Sequence, residues 1–278
     1  MDLEAVGELA GRIARAGALV IGASNGFSIA EGIRLFDTRG TIGSLYGDLD
    51  LQARGIFSLL DGMVYPWESA GRLWGFWIRM IRRYCLGWKS TALMEDLRAI
   101  AKGRRVFIIT TNGEGHFELG GFGRGGIWER EGGWTRLACA ARCSRDLIDD
   151  HEALEAMSEG EAHGIVPGSL IPRCPRCGAP LVPSMAAGIA DDGQAEAFKR
   201  FIKGPGMESA VFLDLGTGPR NALVKEPLRA MAMSRPGAAY AEVNLRTAPV
   251  PGGFKCAFLR IDGDMGAALK ALRSACGA

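Results

Sequence analysis

A chain of 278 residues, 47% of them hydrophobic, can bury a substantial core, as one large domain or a large domain carrying a smaller one. A formal net charge of +2, with Lys and Arg spread along the chain rather than blocked, predicts no nucleic-acid partner. No apolar stretch approaches the roughly 20 residues that span a bilayer, and seven cysteines without a secretory signal argue against a disulfide framework and for a cytoplasmic protein.

The opening "MDLEAVGELAGRIARAG" reads as an amphipathic helix with acidic residues in its first turn, not as a basic region followed by an apolar run and a cleavage site. Next, "ALVIGASNGFS" is a short apolar strand that breaks into a glycine-rich turn, with a helix expected to begin near Ile29. That is the strand–turn–helix order of a nucleotide-binding α/β unit. The turn is not GxGxxG, yet Gly22 and Gly26 around Ala23 and Ser24 leave room for backbone amides to approach a phosphate. An ordinary tight turn is the alternative.

Residues 46–104 follow as a helical module, in which Leu73, Trp74, Trp77, Ile78 and Ile81 recur at helical spacing. A basic helix rich in tryptophan can lie on a membrane, but packing of the same stripe on a core accounts for it more simply. The strand "RRVFIITTN" then runs into "TTNGEGHFELGGF", which carries Asn112, Glu114 and His116.

Residues 128–204 form an insertion with two cysteine pairs, Cys139 and Cys143 in "CAARC" and Cys174 and Cys177 in "CPRCG". Two close pairs at turns can bring four thiolates around one tetrahedral Zn²⁺, and the Pro and Gly of the second pair suit a tight knuckle. With sulfur in all four positions no site remains for an activated water, so such a metal is structural. Cys85, Cys256 and Cys276 are isolated and read as packing residues.

Three more apolar runs, "SAVFLDLGTG", "AAYAEVNL" and "CAFLRIDGD", complete the chain. Short runs that end in Gly, Asn or Asp are those of an open parallel sheet, whose ligand lies beyond the carboxyl ends of its strands. Ser24, Asn112, Gly216 to Gly218, Asn244 and Asp264 would then converge on one crevice.

The order of these motifs resembles the sirtuins, NAD-dependent deacylases and ADP-ribosyltransferases. The branch it is most similar to is the macrodomain-linked class M, through "WGFWIRMI", "TTNGEGHFELGGF", the CxxxC pair and "LGTGPRNALVKEPL". The resemblance implies a Rossmann-type parallel sheet with helices on both faces, formed by 1–45, 105–127 and 205–278, plus a small domain of zinc ribbon and helical module. NAD would lie between the two. Carried over by position, Gly22, Ala23 and Ser24 would hold the pyrophosphate, Gly216 and Thr217 would line the adenosine side, Asn244 would contact the adenosine ribose, and Asp264 and Met265 would border the adenine. Asn112 would stand beside the nicotinamide ribose, and Glu114 falls where the family has aspartate.

In deacylating sirtuins the general base is a histidine in a His-Gly pair before the first cysteines. Here that interval, "GRGGIWEREGGWTRLAC", holds no histidine, and Glu131 is the counterpart. His116 therefore reads as a loop or packing residue, and His151 and His163 as solvated ones. A carboxylate is a weak base unless burial raises its pKa, but it can stabilise an oxocarbenium-like centre or deprotonate an incoming nucleophile. The implied activity is protein mono-ADP-ribosyl transfer, with Asn112, Glu131 and Glu114 as catalytic residues and NAD glycohydrolysis or weak deacylation as alternatives. A non-catalytic NAD or ADP-ribose module is the third reading. The implied partners are a protein substrate, a lipoyl-carrier-like protein among the candidates, and a macrodomain protein.

Overall fold

The computed structural model describes residues 2–38, 40–245 and 252–278. Nine strands are present among the described residues: β1 (Leu19–Ala23), β2 (Val106–Thr110), β3 (Ile127–Glu129), β4 (Arg136–Cys139), β5 (Ile148–Asp149), β6 (Leu181–Pro183), β7 (Val211–Leu215), β8 (Ala239–Asn244) and β9 (Ala257–Asp262). Six make one sheet in the order β3-β2-β1-β7-β8-β9, every pair parallel, and β5-β4-β6 make a small antiparallel sheet.

Period-two alternation along β1 assigns its side chains to two cores. Leu19 and Ile21 face a cluster with Val6, Leu9, Ile13, Leu97 and Leu269, contributed by helices Leu3–Arg15, Ala92–Ala101 and Met265–Ala275. Val20 faces the opposite cluster with Phe107, Phe198, Phe212 and Leu228, where helices Asp192–Ile202 and Lys225–Met233 pack. A sheet covered on both faces buries every residue of β1 and β7, which is why those strands read as continuous apolar runs.

The order reverses between β1 and β7, and a parallel sheet leaves a crevice outside the carboxyl ends of its strands at such a point. The turns after the two strands meet there. A Cβ on Gly26 would lie 2.5 Å from the Gly216 carbonyl oxygen, and Gly216 has φ +68, so two glycines make the close approach possible. The helix after β1 is Asn25–Ala30, shorter and earlier than the start near Ile29 that the sequence predicts, because the turn itself closes into helix and Ile29 is left exposed. The edge strand β3, too short to show a period of its own, is paired to β2 through Ile108, Ile109 and Thr110.

The third core joins helix Ala70–Ile81 to the small sheet. Trp74, Trp77 and Ile78 are buried with Trp134, Leu137, Cys139 and Leu181, and the Trp74 indole Nε1 donates to the Leu181 carbonyl at 2.8 Å. The aromatic stripe is thus internal, and no helix of the described residues is long and apolar enough to cross a membrane.

Candidate active site

The residues past β1, β7, β8 and β9 come together as one hydrogen-bonded rim. Ser24 sits at the N-cap position of Asn25–Ala30 without capping it; its Oγ instead accepts from Thr111 Oγ1 at 2.9 Å and from Asn221 Nδ2 at 3.1 Å. Asn221 Oδ1 accepts from the backbone of Leu223 and Val224, which fixes the 216–224 segment. Asn244 Nδ2 donates to the Thr217 carbonyl at 2.9 Å. Asp264 caps helix Met265–Ala275 by accepting from the Ala267 amide, and Met265 is buried in the core beneath. Gly22 differs from these: it lies inside β1 with partners on both sides, and a Cβ there would meet Leu228 at 2.5 Å and Val224 at 2.8 Å. Helix–sheet packing requires glycine at that point. Ala23 closes the strand, fully buried.

Beneath this rim lies a charged network that the pattern of the sequence did not reveal. Lys225 is 0% exposed; its Nζ lies 3.0 Å from Asp214 Oδ2 and pairs with Glu242, while Arg229 Nη2 stands 3.6 Å from Glu242 Oε2. Asp214 also accepts from the Tyr240 hydroxyl and from the Thr217 hydroxyl and amide. A buried ion network is weak evidence for stability but specifies one arrangement of the groups it joins. Here it fixes the turn after β7. The available signal was a lone acid in each of two apolar strands, "VFLDL" and "AYAEV", facing Lys225 and Arg229 at i,i+4 on the next helix.

A cavity of about 520 Å³ opens beside the rim, walled on one side by the third core. It is lined by Asn112, Glu114 and Glu131 among apolar walls that include Leu35, Met63, Trp77, Trp134 and Met185, a volume in the range of small-molecule sites. Asn112 is 5% exposed; its Nδ2 donates to the Ser24 carbonyl at 3.2 Å, and its buried Oδ1 has no partner among the described residues. An orphaned acceptor on a residue that lines a cavity is suited to a ligand hydroxyl.

Glu114 is 1% exposed and accepts from Ser28 Oγ at 2.7 Å; burial pushes its carboxyl up. Glu131 is exposed at the mouth on a turn that Gly132 (φ +86) and Gly133 make possible, the Gly133 amide donating to Ser184 Oγ at 2.9 Å. Partial burial raises the Glu131 carboxyl, with Arg130 opposing. Sequence reasoning missed Glu129, at the end of β3, whose carboxyl is pushed up to about 8 by burial against the opposing pull of Arg136.

His116 lines none of this. It is 1% exposed, with Nε2 at 2.7 Å from the Tyr84 carbonyl, Nδ1 at 3.2 Å from Glu31 Oε2, and Trp88 at 4.6 Å between ring centroids. His151 is exposed beside Glu155, and His163 is exposed at φ 51.

The thiols of Cys139, Cys143, Cys174 and Cys177 lie within 4.8 Å of one another, Cys139 to Cys177 and Cys143 to Cys174 each at 3.5 Å. Four sulfurs at that spacing fit the tetrahedral S₄ environment of zinc, with Zn–S near 2.3 Å. The set is closed and faces the small sheet, not the cavity.

No protein-family model matches the chain. It is similar to a protein ADP-ribosyltransferase of Staphylococcus aureus, 23% identical over 251 residues, which is 87% of this chain and 79% of that protein. A solved structure concerned with the mechanism and regulation of Sir2 enzymes aligns over 99% of this chain and 98% of its own, with a TM-score of 0.60 and 17% identity. A Sir2 homologue in complex with NAD aligns over 96% and 93%, with a TM-score of 0.65 and 16% identity. Two superpositions of that extent, on a sheet whose order its own hydrogen bonds define, establish that the chain has the fold of the Sir2 enzymes.

Proposed function

We propose that the chain is an NAD-dependent enzyme of the sirtuin type that cleaves the nicotinamide glycosidic bond and transfers ADP-ribose to a protein side chain. The observation that carries this reading is the pairing, in one cavity, of a buried Asn112 whose Oδ1 is free to accept with a mouth carboxylate, Glu131, and with no histidine among the lining residues. The fold supports the choice of ligand, since one relative was solved with NAD and another is named a protein ADP-ribosyltransferase. The residues present fit: an orphaned acceptor, and a rim of hydroxyl and amide groups along the strand ends.

In this reading 1–45, 105–127 and 205–278 form the nucleotide-binding domain, 46–104 the helical module and 128–204 the zinc-binding insertion. Residues 246–251 of the last segment lie outside the described ones. Ser24, with Gly22 and Ala23 shaping the strand end, would border the pyrophosphate; Gly216, Thr217 and Asn244 the adenosine and its ribose; Asp264 and Met265 the adenine. NAD held there supplies a ribosyl carbon that becomes electrophilic as nicotinamide leaves.

Asn112 would orient the ribose by accepting from a hydroxyl at Oδ1 while Ser24 fixes its Nδ2. Glu131, raised by partial burial, would take the proton of the incoming nucleophile or offset positive charge at the reacting carbon. Glu114, buried and held by Ser28, would accept or donate at the carboxamide end of the same cavity. The acceptor would be a protein, a lipoyl-carrier-like one among the candidates, with a macrodomain protein as the partner that removes or reads the mark. The four cysteines would hold zinc as a structural staple.

Because Glu131 is exposed, water can reach the same point, which favours glycohydrolysis as the second reading. Incubation of the purified protein with labelled NAD separates the outcomes. Label on protein supports transfer; free ADP-ribose supports hydrolysis, O-acyl-ADP-ribose from an acylated peptide supports deacylation, and binding without turnover refutes an enzyme.

A further inference from the structure

Two arginines line the cavity, and they are held in opposite ways. Arg145 donates Nε and Nη2 to the two oxygens of Asp192 at 2.7 and 2.9 Å, a forked pair that satisfies its charge. Arg130 is half-buried, yet none of the ion pairs among the described residues includes it. Its Nη1 donates to the Leu223 carbonyl at 2.7 Å and its guanidinium stacks over Trp128 at 4.2 Å.

A guanidinium carries five donors, and taking it out of water without a counter-charge costs free energy unless the remaining donors meet an anion. Burial accordingly depresses the Arg130 pKa, with Glu131 pulling the other way. Stacking on Trp128 and the bond to Leu223 leave the fork little freedom, so its geometry is set in advance.

Its position says which anion. The Arg130 amide donates to the Thr110 carbonyl at the end of β2, and Leu223 belongs to the segment that Asn221 ties to Ser24. Arg130 therefore stands where the rim at the switch point meets the cavity of Asn112 and Glu131. A ligand that lies along the rim and reaches into the cavity must pass it.

We propose that Arg130 is an anion-binding residue that takes the diphosphate of the dinucleotide at the junction of rim and cavity. The inference rests on the NAD reading given above and adds to it a selectivity. Ligands with the diphosphate gain the forked contact, and a riboside without it does not. A planar fork matches two phosphate oxygens, which a lysine ammonium cannot do.

Calorimetric titration of the wild type, Arg130→Gln and Arg130→Lys with ADP-ribose, inorganic diphosphate and nicotinamide riboside tests it. We expect Arg130→Gln to weaken ADP-ribose and diphosphate by about tenfold or more, equivalent to about 1.4 kcal/mol, with riboside affinity changed less than about twofold. Arg130→Lys should recover part of the loss. Equal weakening of riboside and ADP-ribose would mark Arg130 as a packing residue, and unchanged diphosphate affinity in a folded Arg130→Gln would overturn the proposal outright. A wild type that binds diphosphate through Arg130 but not ADP-ribose would sink the dinucleotide reading and leave the anion site. Tight ADP-ribose binding by the wild type and Arg130→Gln alike would do the reverse, and a wild type that binds neither anion would refute both.

Discussion

Asn112 stands on the loop after β2 and His116 opens the short helix His116–Leu119 that follows it, and the two are spent differently. The asparagine lines the cavity and keeps one acceptor without a partner, whereas His116 is held away from it by Nε2 at the Tyr84 carbonyl, Nδ1 beside the Glu31 carboxylate and one ring face against Trp88. Asn112→Ala should therefore lower every product of glycosidic cleavage together, in labelled-NAD assays, with melting temperature and metal content unchanged. Glu131→Gln keeps shape and removes charge, so transfer should drop by roughly the 10²–10⁴-fold typical of losing acid–base assistance; an active Glu131→Gln would reduce that residue to a hydrogen-bonding role. His116→Ala should act on stability instead. It opens a cavity against Trp88 and strips the group beside the buried Glu31 carboxylate, a loss of about 2–4 kcal/mol by chemical denaturation, while the folded fraction keeps wild-type turnover. Glu129 gives a pH signature. Burial raises its folded pKa from the ordinary 4.5 to about 8, with Arg136 and Arg124 opposing and Glu114 and Glu118 reinforcing the shift. Its contribution to stability is thus present below 4.5 and fades as pH rises through 8. Thermal melts from pH 5 to 8.5 should slope less steeply for Glu129→Gln; parallel curves would exclude the shift. Asn112 was legible because a strand ending in "TTN" announces a polar tip, and Glu129 was not, because its chemistry comes from burial that one short edge strand does not encode.

At the level of elements, five strands of the large sheet were written in the sequence, and the edge strand β3 and the turns were not. Continuous apolar runs such as "LVIGA" and "VFLDL" mark strands covered on both faces, and their polar ends mark the crevice. What they cannot give is the contact between distant turns. Gly26 and Gly216 support each other across the switch point, the Gly26 amide donating to the Gly216 carbonyl at 3.0 Å. The helix after β1 begins earlier than its apolar pattern suggests because that bond pulls the turn into helix. Gly26→Ala would put a methyl 2.5 Å from the Gly216 oxygen, so β1 and β7 would have to part at their ends. We expect about 1–3 kcal/mol of destabilisation together with weaker ADP-ribose binding, measured on the folded protein by calorimetry. Gly43→Ala, in helix Thr41–Tyr46 with nothing within 4 Å of the added carbon, is the control: helix propensity should raise stability by up to about 1 kcal/mol and ADP-ribose binding should not change.

Across the whole molecule the small sheet, the aromatic helix and Cys139 and Cys174 pack in one core, and whether they act as one unit can be tested by removing any metal the cysteines hold. Cys139 is the last residue of β4 and pairs in register with Leu181 of β6, so the sulfur cluster closes directly onto the small sheet. Leu181 in turn accepts from Trp74, whose helix carries Trp77 against Trp134 at 6.1 Å on the cavity wall. The spacing of the cysteines foretold a shared site, but only the fold shows that its loss must travel along this path to the cavity. The six-stranded sheet has its own two cores, neither of which includes a residue of the cysteine cluster among the described residues. Strong chelation, or Cys174→Ser, should therefore remove about one zinc per chain and speed hydrogen exchange in 136–183 and 70–81. Trp74, Trp77 and Trp134 should shift their fluorescence toward the exposed range, while 19–23, 106–110 and 211–215 keep their protection. Because Trp134 and Trp77 line the cavity, nucleotide-dependent activity should fall in step with the fluorescence change and return with added zinc. Loss of protection in all segments at once would mean that the zinc unit and the sheet fold as one. A metal-free protein with unchanged exchange and activity would mean that the thiols hold no structural ion at all.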